Sequence, residues 1–560
     1  MEPQAFQLII CWIMKHWDNM ENKNIDEKEN DSHINIDKIL KEYEQCNSIK
    51  QSWNNKYDEI MEFLMPFKYS VNQDKNKNKQ DYVEKNANIV SSVGINSANN
   101  FVNKLQQIVT PVNSDFLGLE CADYIENKEE KDKELEKIAK ILNSYKNASN
   151  FDSVMPQFYY DLIAGTSCLL VQGDDFGEPL VFNAIPFKTY CIHEGFNGNV
   201  DGVYRKIEIL EKEIEFVWSD SKYEIKNKKE DVSVELLEVV KYNPENKNYD
   251  YLIIDSNNSK NRIIVKRAYK TNPFIILRWN KVNNEIYGRG VGTVAIPEVK
   301  TLNKIIDYSL RALAFAIPTY MYKDDGMIDP DTLVLEPGAM IPVPDNDTRN
   351  PYITPVNTSS NLNFDITQYN ITNMEMRIKR IMLDNTIPDD SDVRSATEVN
   401  QRVAELNVNL TSMFGRLLTE FLKPLTKRII EVLQTYEYIS SEFDLEKINN
   451  YEIKVKIKTA LALQSNQEEL TKTLNAMQIL ASFDPSGALI NKTIKINKIL
   501  PYMLKLAGVP SEFINSEQET SEQEQAMAIN ERNAELQNMQ DNIAMNNLIE
   551  QGKEDAKKNL

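Results

Sequence analysis

Histidine, cysteine and glycine are scarce in this chain of 560 residues. The chain has three histidines (His16, His33, His193) and no H-E-x-x-H or G-x-S-x-G sequence, so it lacks the usual sequence motifs of hydrolases. The five cysteines include no C-x-x-C pair, so the sequence predicts neither a disulfide framework nor a zinc site and fits a reducing cytoplasm. Seventeen glycines favour regular elements over loops.

Basic charge is also in deficit, with a formal net charge of -20. Sequence-independent binding of nucleic acid depends on Lys and Arg that neutralise phosphates, so tight binding is disfavoured. An acidic wall that DNA passes without sticking remains compatible with this charge. Long apolar runs are missing too: residues 6–14 are apolar but too short for a membrane span, and no basic residue precedes them. We interpret them as an N-terminal extension that packs on a protein surface, with a signal peptide as the alternative.

The hydrophobic period changes twice along the chain. After a polar linker at 18–35, helical spacing covers Ile39 to Leu64 and then 89–105. A period near two follows from Leu169 to Tyr287, which predicts the strands of an antiparallel α+β domain. Helical spacing then returns, with an apolar stripe from Leu302 to Phe315 and another between 364 and 383.

The strongest pattern starts at Ser395, where Ser395-Ala-Thr-Glu398 reads as a helix capping box. An apolar stripe continues from Val399 to Leu433, and Pro424 is expected to bend this helix. The tail from Glu512 to Leu560 is rich in Glu, Gln and Asn and predicts a helix that is marginal alone.

Four groups of residues are candidate sites. Tyr287-Gly-Arg-Gly290-Val-Gly292 could cradle a phosphate, but its spacing favours a glycine-lined turn between domains. Asp389, Asp390 and Asp392 could hold a divalent ion, although a solvated acidic loop is the simpler interpretation. The basic residues Arg377, Lys379 and Arg380 fan around a helix, which favours solvent or salt bridges over phosphate contact. Cys168 and His193 are interpreted as packing residues.

Several short motifs, in a fixed order, resemble the head-to-tail connecting, or portal, proteins of short-tailed bacteriophages (podovirus type). The similarity runs through about residues 45 to 510. The motifs are Ser52-Trp53, Gly94 to Phe101, Thr110-Pro111, Phe151 to Thr166, Val203-Tyr204-Arg205, Arg278-Trp279, Tyr287 to Gly290, Leu302-Asn303, Ser395 to Val399 and Phe414 to Leu417.

This resemblance implies an α+β portal fold, assembled as a ring usually of twelve subunits around a DNA channel. The implied regions are a mixed wing (37–292), stem helix 1 (293–318), a clip (319–361), stem helix 2 (362–385), a tunnel loop (386–395), a long kinked wing helix with the segment after it (396–454) and a helical crown (455–514). The N-terminal extension (1–36) and the polar helical or disordered tail (515–560) have no counterpart in the family and are predicted from composition. The channel-facing residues would be Pro388, Asp389, Asp390, Ser391, Asp392, Val393 and Arg394, with Arg377, Lys379 and Arg380 as candidate basic residues near them.

The resemblance further implies a non-enzymatic virion protein without cofactor or metal. It would be assembled in the host cytoplasm and sit at one capsid vertex. Its partners would be double-stranded DNA passing through the ring, the terminase motor during packaging, tail adaptor proteins at the clip, and capsid and scaffolding proteins, with no membrane involved. Two alternatives remain open from the residues: a metal-dependent nucleic-acid enzyme using Asp389, Asp390 and Asp392, and a coiled-coil scaffold.

Overall fold

The structure is a computed structural model, and it describes a defined part of the chain. The described residues are 36–69, 89–122, 128–173, 179–221, 223, 232–255, 263–316, 319–322, 353–356, 364–384, 413, 415–440, 453–457, 460–483, 499–500, 502–504, 507, 529–530, 532–537, 539–540 and 545. The predicted N-terminal extension, the capping box at Ser395, the loop Pro388–Arg394 and most of the clip and tail lie outside them.

Ten α-helices are used below. They are α1 (Ile36–Leu64), α2 (Pro66–Tyr69), α3 (Val93–Val109), α4 (Lys128–Ala148), α5 (Phe151–Ala164), α6 (Ile214–Val217), α7 (Val291–Ala316), α8 (Phe364–Ile381), α9 (Lys423–Thr435) and α10 (Ala460–Phe483). Two short 3-10 turns, Phe187–Thr189 and Glu211–Glu213, and a π-helical segment, Leu417–Leu422, are also present. Short stretches between 499 and 545 are helical as well.

The strands form four sheets within the described residues. They are β1 (Leu117–Cys121), β2 (Thr166–Gln172), β3 (Val181–Ile185), β4 (Tyr190–Glu194), β5 (Val200–Leu210), β6 (Ser233–Asn243), β7 (Asn248–Asp255), β8 (Ile263–Tyr269), β9 (Phe274–Arg278), β10 (Thr319–Tyr322), β11 (Ile353–Val356) and β12 (Ile453–Ile457). Their orders are β4-β5-β6-β7-β8, β3-β2-β9, β1-β12 and β10-β11.

The chain groups into two compact units, made of residues 1–100, 160–170 and 184–390 and of residues 101–159, 171–183 and 391–560. Both units draw residues from the predicted wing, so the wing boundaries stay a prediction. In the first unit, β4 to β8 form an antiparallel meander, in which Tyr204 lies opposite Val239. One face of this sheet packs on α1, and the shared core is built from apolar side chains. Its buried members are Ile39, Cys46, Cys191, Tyr204, Leu237, Val239, Leu252 and Ile254.

The second unit is organised around α5 and α9. Phe158 of α5 stacks on Phe421 of the π-helical segment, with ring centroids 5.0 Å apart. Pro424 lies in the first turn of α9, directly after that segment. A π-helical turn is one of the ordinary ways in which a helix is interrupted. The helix changes type just before Pro424, and the bend predicted there stays a prediction.

The antiparallel strands predicted between Leu169 and Tyr287 are confirmed, because β5, β6, β7 and β8 pair in sequence order. The turn predicted at residues 195–198 is also confirmed, with Gly198 at a φ of 79°. The helix predicted from residue 89 begins later, at Val93, since residues 89–92 run ahead of it and bond to α7 as described below.

Candidate functional site: a helix pair and its anchors

The helices α7 and α8 pack against each other within the first unit, and the strand pair β10–β11 belongs to the chain between them. The order is therefore helix, strand, strand, helix. Pro297 lies in the second turn of α7, and the helix runs on to Ala316. These bounds lie within a few residues of the predicted stem helices, whose identity as a stem stays a prediction.

The glycine-rich turn before α7 is packed against backbone. A Cβ on Gly290 would lie 2.0 Å from the carbonyl oxygen of Ile163, and one on Gly288 would lie 2.4 Å from that of Gly165. Gly165 itself has a φ of 126°, which suits glycine. The amide of Gly288 donates to the Thr166 hydroxyl and that of Gly290 to the Ala164 carbonyl. These amides already have acceptors, so the turn is a packing device rather than a phosphate cradle, and it lies inside one unit rather than between domains.

Asn303 fixes α7 to the segment before α3. Its side-chain oxygen accepts hydrogen bonds from the amides of Val90 and Ser91, at 2.8 and 2.9 Å, and its amide group donates to Val299. Asn303 is 5% exposed, so these bonds form in a water-poor place. The bonds hold residues 89–92 on α7 at the start of α3.

The end of α8 is fixed in a similar way. Leu383 adopts a φ of 56°, and the amides of Leu383 and Asp384 donate to the carbonyls of Arg380 and Lys379. This is a Schellman cap, a way of stopping a helix that usually places glycine at the left-handed position. A leucine there costs roughly 1–2 kcal/mol. The surrounding contacts must hold it, and Asp384 supplies some of them.

The carboxylate of Asp384 accepts hydrogen bonds from Ser97 and Asn100 of α3, at 3.1 and 3.0 Å. Asp384 is 3% exposed, and hydrogen bonds to a buried charged group are worth more than neutral ones. The end of α8 is therefore pinned to α3, four residues before Pro388, where the predicted channel loop begins.

The helix pair leaves large apolar side chains in solvent. An exposed Leu or Tyr gains no burial within the isolated chain. Tyr308 and Leu310 are two positions apart and therefore lie on different sides of α7. The exposed members on α7 and α8 are Val294, Tyr308, Leu310, Tyr369 and Met376.

The three basic residues of α8 lie on different sides of the helix, as their spacing predicts. Arg377 and Arg380 are exposed and Lys379 is partly buried, while Ile378 between them is fully buried. Arg377 faces Glu298 of α7 at 3.9 Å. That pair is largely exposed, so it contributes little to stability. The observed arrangement favours solvent and salt-bridge contacts for this group.

The remaining predicted residues have mixed outcomes. Cys168 is buried by packing, as predicted. The prediction for His193 is wrong: its side chain is 44% exposed, and Nδ1 lies 2.7 Å from Asp201. His193 stands near the end of an edge strand, where β4 ends in a bulge, so its ring turns outward. The acidic residues Asp389, Asp390 and Asp392 lie outside the described residues.

Among the described residues, no three acidic, histidine or cysteine side chains come together as a metal-ligand set. The helices in that same part of the chain are all too short or too polar to cross a membrane.

Lys50, which no sequence pattern singles out, is fully buried on α1. Its Nζ lies 3.2 Å from the ring centre of Phe187 and 4.6 and 4.5 Å from those of Tyr190 and Tyr287. No described hydrogen-bond acceptor reaches the ammonium group. Burial lowers the pKa of Lys50 to about 7, against the opposing attraction of Cys191 and Asp161.

Comparison with known proteins identifies the class. Residues 36–514 match the family of bacteriophage head to tail connecting proteins, and the chain belongs to this family. No curated protein matches. Among solved structures, a chain in the virion of a native gene transfer agent particle is 12% identical, with 78% of this chain and 94% of that chain covered and a TM-score of 0.35. A chain in the neck of an empty gene transfer agent particle, computed with C6 symmetry, is 13% identical, with 75% and 90% covered and a TM-score of 0.36.

Proposed function

We propose that this connector protein is a portal subunit. In this proposal it forms a closed ring at one capsid vertex, through which double-stranded DNA is packaged and ejected and to which the tail attaches. The ring works without an enzymatic activity or a cofactor of its own. A separate terminase motor drives packaging, tail adaptor proteins bind at the clip, and capsid and scaffolding proteins surround the ring in the virion.

The observation that carries the proposal is the uncovered apolar surface of α7 and α8. Tyr308 is 65% exposed, Leu310 54% and Tyr369 69%. A cyclic assembly lets the same helix pair contact a neighbour on each side, which covers these side chains in every subunit without leaving a free end. The family match over residues 36–514 supports the same assembly.

In the proposed ring, the loop Pro388–Arg394 would face the DNA channel. Asp384, four residues before this loop in the sequence, ties the end of α8 to α3. The three aspartates and single arginine of the loop would present mostly negative charge to DNA. Like charges repel, so the rim would guide the duplex without binding it tightly.

Mass photometry of the purified full chain tests the proposal. We expect closed rings at micromolar concentration. Tyr308→Asp places a charge in the proposed subunit contact and should shift the mass toward monomers, because an unpaired charge is costly in an apolar interface. Phe216→Asp is the matched control, since Phe216 is 66% exposed on α6, away from the helix pair, and should leave the rings unchanged. Monomers or dimers of the unchanged chain would contradict the proposal.

A further inference from the structure

A cleft of about 830 Å³ opens in the first unit beside α1. Gln45, Cys46 and Ile49 of α1 form one wall, the turn between β4 and β5 a second, and the loop after β9 a third. The turn is held by hydrogen bonds from Gly195 to Asn199 and from Gly198 to Gly195. These walls are built from regular elements and a bonded turn, so the cleft has a defined shape.

The charged groups of the cleft neutralise one another. The carboxylate of Glu194 pairs with Lys281 and lies 3.6 Å from Arg278. Arg278 also donates to the carbonyl of Gly198 at 2.9 Å. His193 pairs with Asp201 at 2.7 Å. An ion or a phosphate would have to compete with these partners, so a charged small ligand is a poor fit.

The other lining groups suit a polypeptide. Gln45, Asn197, Asn283 and Asn284 carry neutral amides, which can donate to and accept from a peptide backbone. Beside them, Ile49 is 45% exposed and Phe196 is 106% exposed, as much as in an extended peptide. A Phe held in water on a bonded turn is already positioned to pack on an apolar side chain, with little ordering cost.

The chain itself carries such a polypeptide. Residues 5–14 read Ala-Phe-Gln-Leu-Ile-Ile-Cys-Trp-Ile-Met, with one polar side chain among ten. They precede α1, whose own surface forms the cleft. The connecting residues 15–35 number 21 and can reach at most roughly 70 Å when fully extended. The path along α1 from Ile36 to the cleft wall is roughly 14–20 Å at 1.5 Å per residue, so the tether is long enough.

We propose that the apolar segment 5–14 docks in this cleft of its own chain, with Phe196 and Ile49 as the apolar contacts. The tether raises the local concentration of the segment at the cleft, so weak contacts suffice. This inference goes beyond the portal function and does not depend on it, because docking within one chain is measured in any assembly state.

Hydrogen exchange read by mass spectrometry tests the docking in the full-length chain and in a chain lacking residues 2–14. We expect the amides of residues 193–199 and 280–287 to exchange at least tenfold faster without the segment. A labelled peptide of residues 1–16 should bind the shortened chain, and a scrambled peptide should not. Phe196→Ser should weaken this binding at least tenfold, whereas Phe216→Ser, on α6, should not change it. Equal exchange in the two chains, or peptide binding that ignores Phe196→Ser, would overturn the proposal.

A mixed preparation separates docking within a chain from docking between chains. The shortened chain keeps an intact cleft, and the Phe196→Ser chain keeps the segment. The peptide that contains the turn has Phe196 in the shortened chain and Ser in the Phe196→Ser chain. The two peptides differ in mass, so the exchange of each chain is read separately. We expect the turn of the shortened chain to stay unprotected in the mixture. Protection there would show that the segment comes from another copy and would overturn docking within one chain.

Discussion

Replacing Lys50 by Met should stabilise the protein at neutral pH. Lys50 is fully buried without a hydrogen-bond acceptor among the described residues, and the burial lowers its pKa from 10.5 to about 7. A folded-state pKa lowered by that amount corresponds to roughly 4–5 kcal/mol of lost stability at pH 7 and below. Attraction by the three surrounding rings returns up to ~2 kcal/mol. Met has a similar length and no charge to bury, so we expect a net gain of about 2–3 kcal/mol.

The stability difference between the natural chain and Lys50→Met depends on pH. The amine is protonated in both states below the folded pKa of about 7, and it is neutral in both above the unfolded value of 10.5. Between these values the unfolded state binds more protons, so the stability of the natural chain rises with pH through this window. The advantage of Lys50→Met should therefore be largest at pH 6 and shrink by about 1–2 kcal/mol by pH 9.5, because the ring attraction that favours the ammonium also narrows this window.

Urea unfolding at pH 6 and pH 9.5, followed by tryptophan fluorescence, measures this difference. Trp53 reports locally, because its ring lies 5.8 Å from that of Tyr287 in the same cluster. Lys146→Met is the matched control in the second unit, where the ammonium lies over Phe116 and donates to the carbonyl of Ser114 at 2.8 Å. Removing that donor orphans a carbonyl, so the gain should be smaller. An equal or lower stability of Lys50→Met at pH 6, or a gap that does not change with pH, would refute the reasoning.

Three further predictions concern the helix pair. Gly290→Ala should destabilise by about 3 kcal/mol or more, because its Cβ would meet the Ile163 carbonyl at 2.0 Å. Gly415→Ala, whose Cβ would meet no atom of the described residues within 4 Å, should be neutral or stabilising, and thermal melts compare the two variants. Asp384→Ala should cost roughly 2–3 kcal/mol by leaving Ser97 and Asn100 without their acceptor, and urea unfolding that matches the unchanged chain would contradict this. Deleting Pro388 to Asp392 should leave rings intact in electron micrographs but impair packaging or retention of DNA; loss of rings would mean that the loop is structural.

Much of the fold follows from local pattern. The period-two stretches predict β5 to β8, since each of these strands pairs with the next one along the chain. The apolar stripe from Leu302 predicts α7, and a period of 3.6 predicts α1. In each case the signal and the structure depend on neighbouring residues in sequence.

Contacts between residues that are far apart along the chain could not be predicted from the sequence. Gly165 and Gly290 are separated by over a hundred positions, and only their backbone approach shows why both are glycine. Lys50 lies in a polar stretch of α1, where nothing local distinguishes a buried lysine from a solvated one. Asp384 is an ordinary residue after a helix until Ser97 and Asn100 are brought to it. For the candidate site, the sequence therefore predicts the two helices but not their anchors.

Electron microscopy of the purified full-length ring tests the central claim most directly. The account predicts a closed ring in which α7 and α8 contact the neighbouring subunits through Tyr308 and Leu310 and the loop Pro388–Arg394 faces an axial channel wide enough for double-stranded DNA. Monomeric or dimeric particles at micromolar concentration, or a ring that carries this loop on its outer surface, would contradict it.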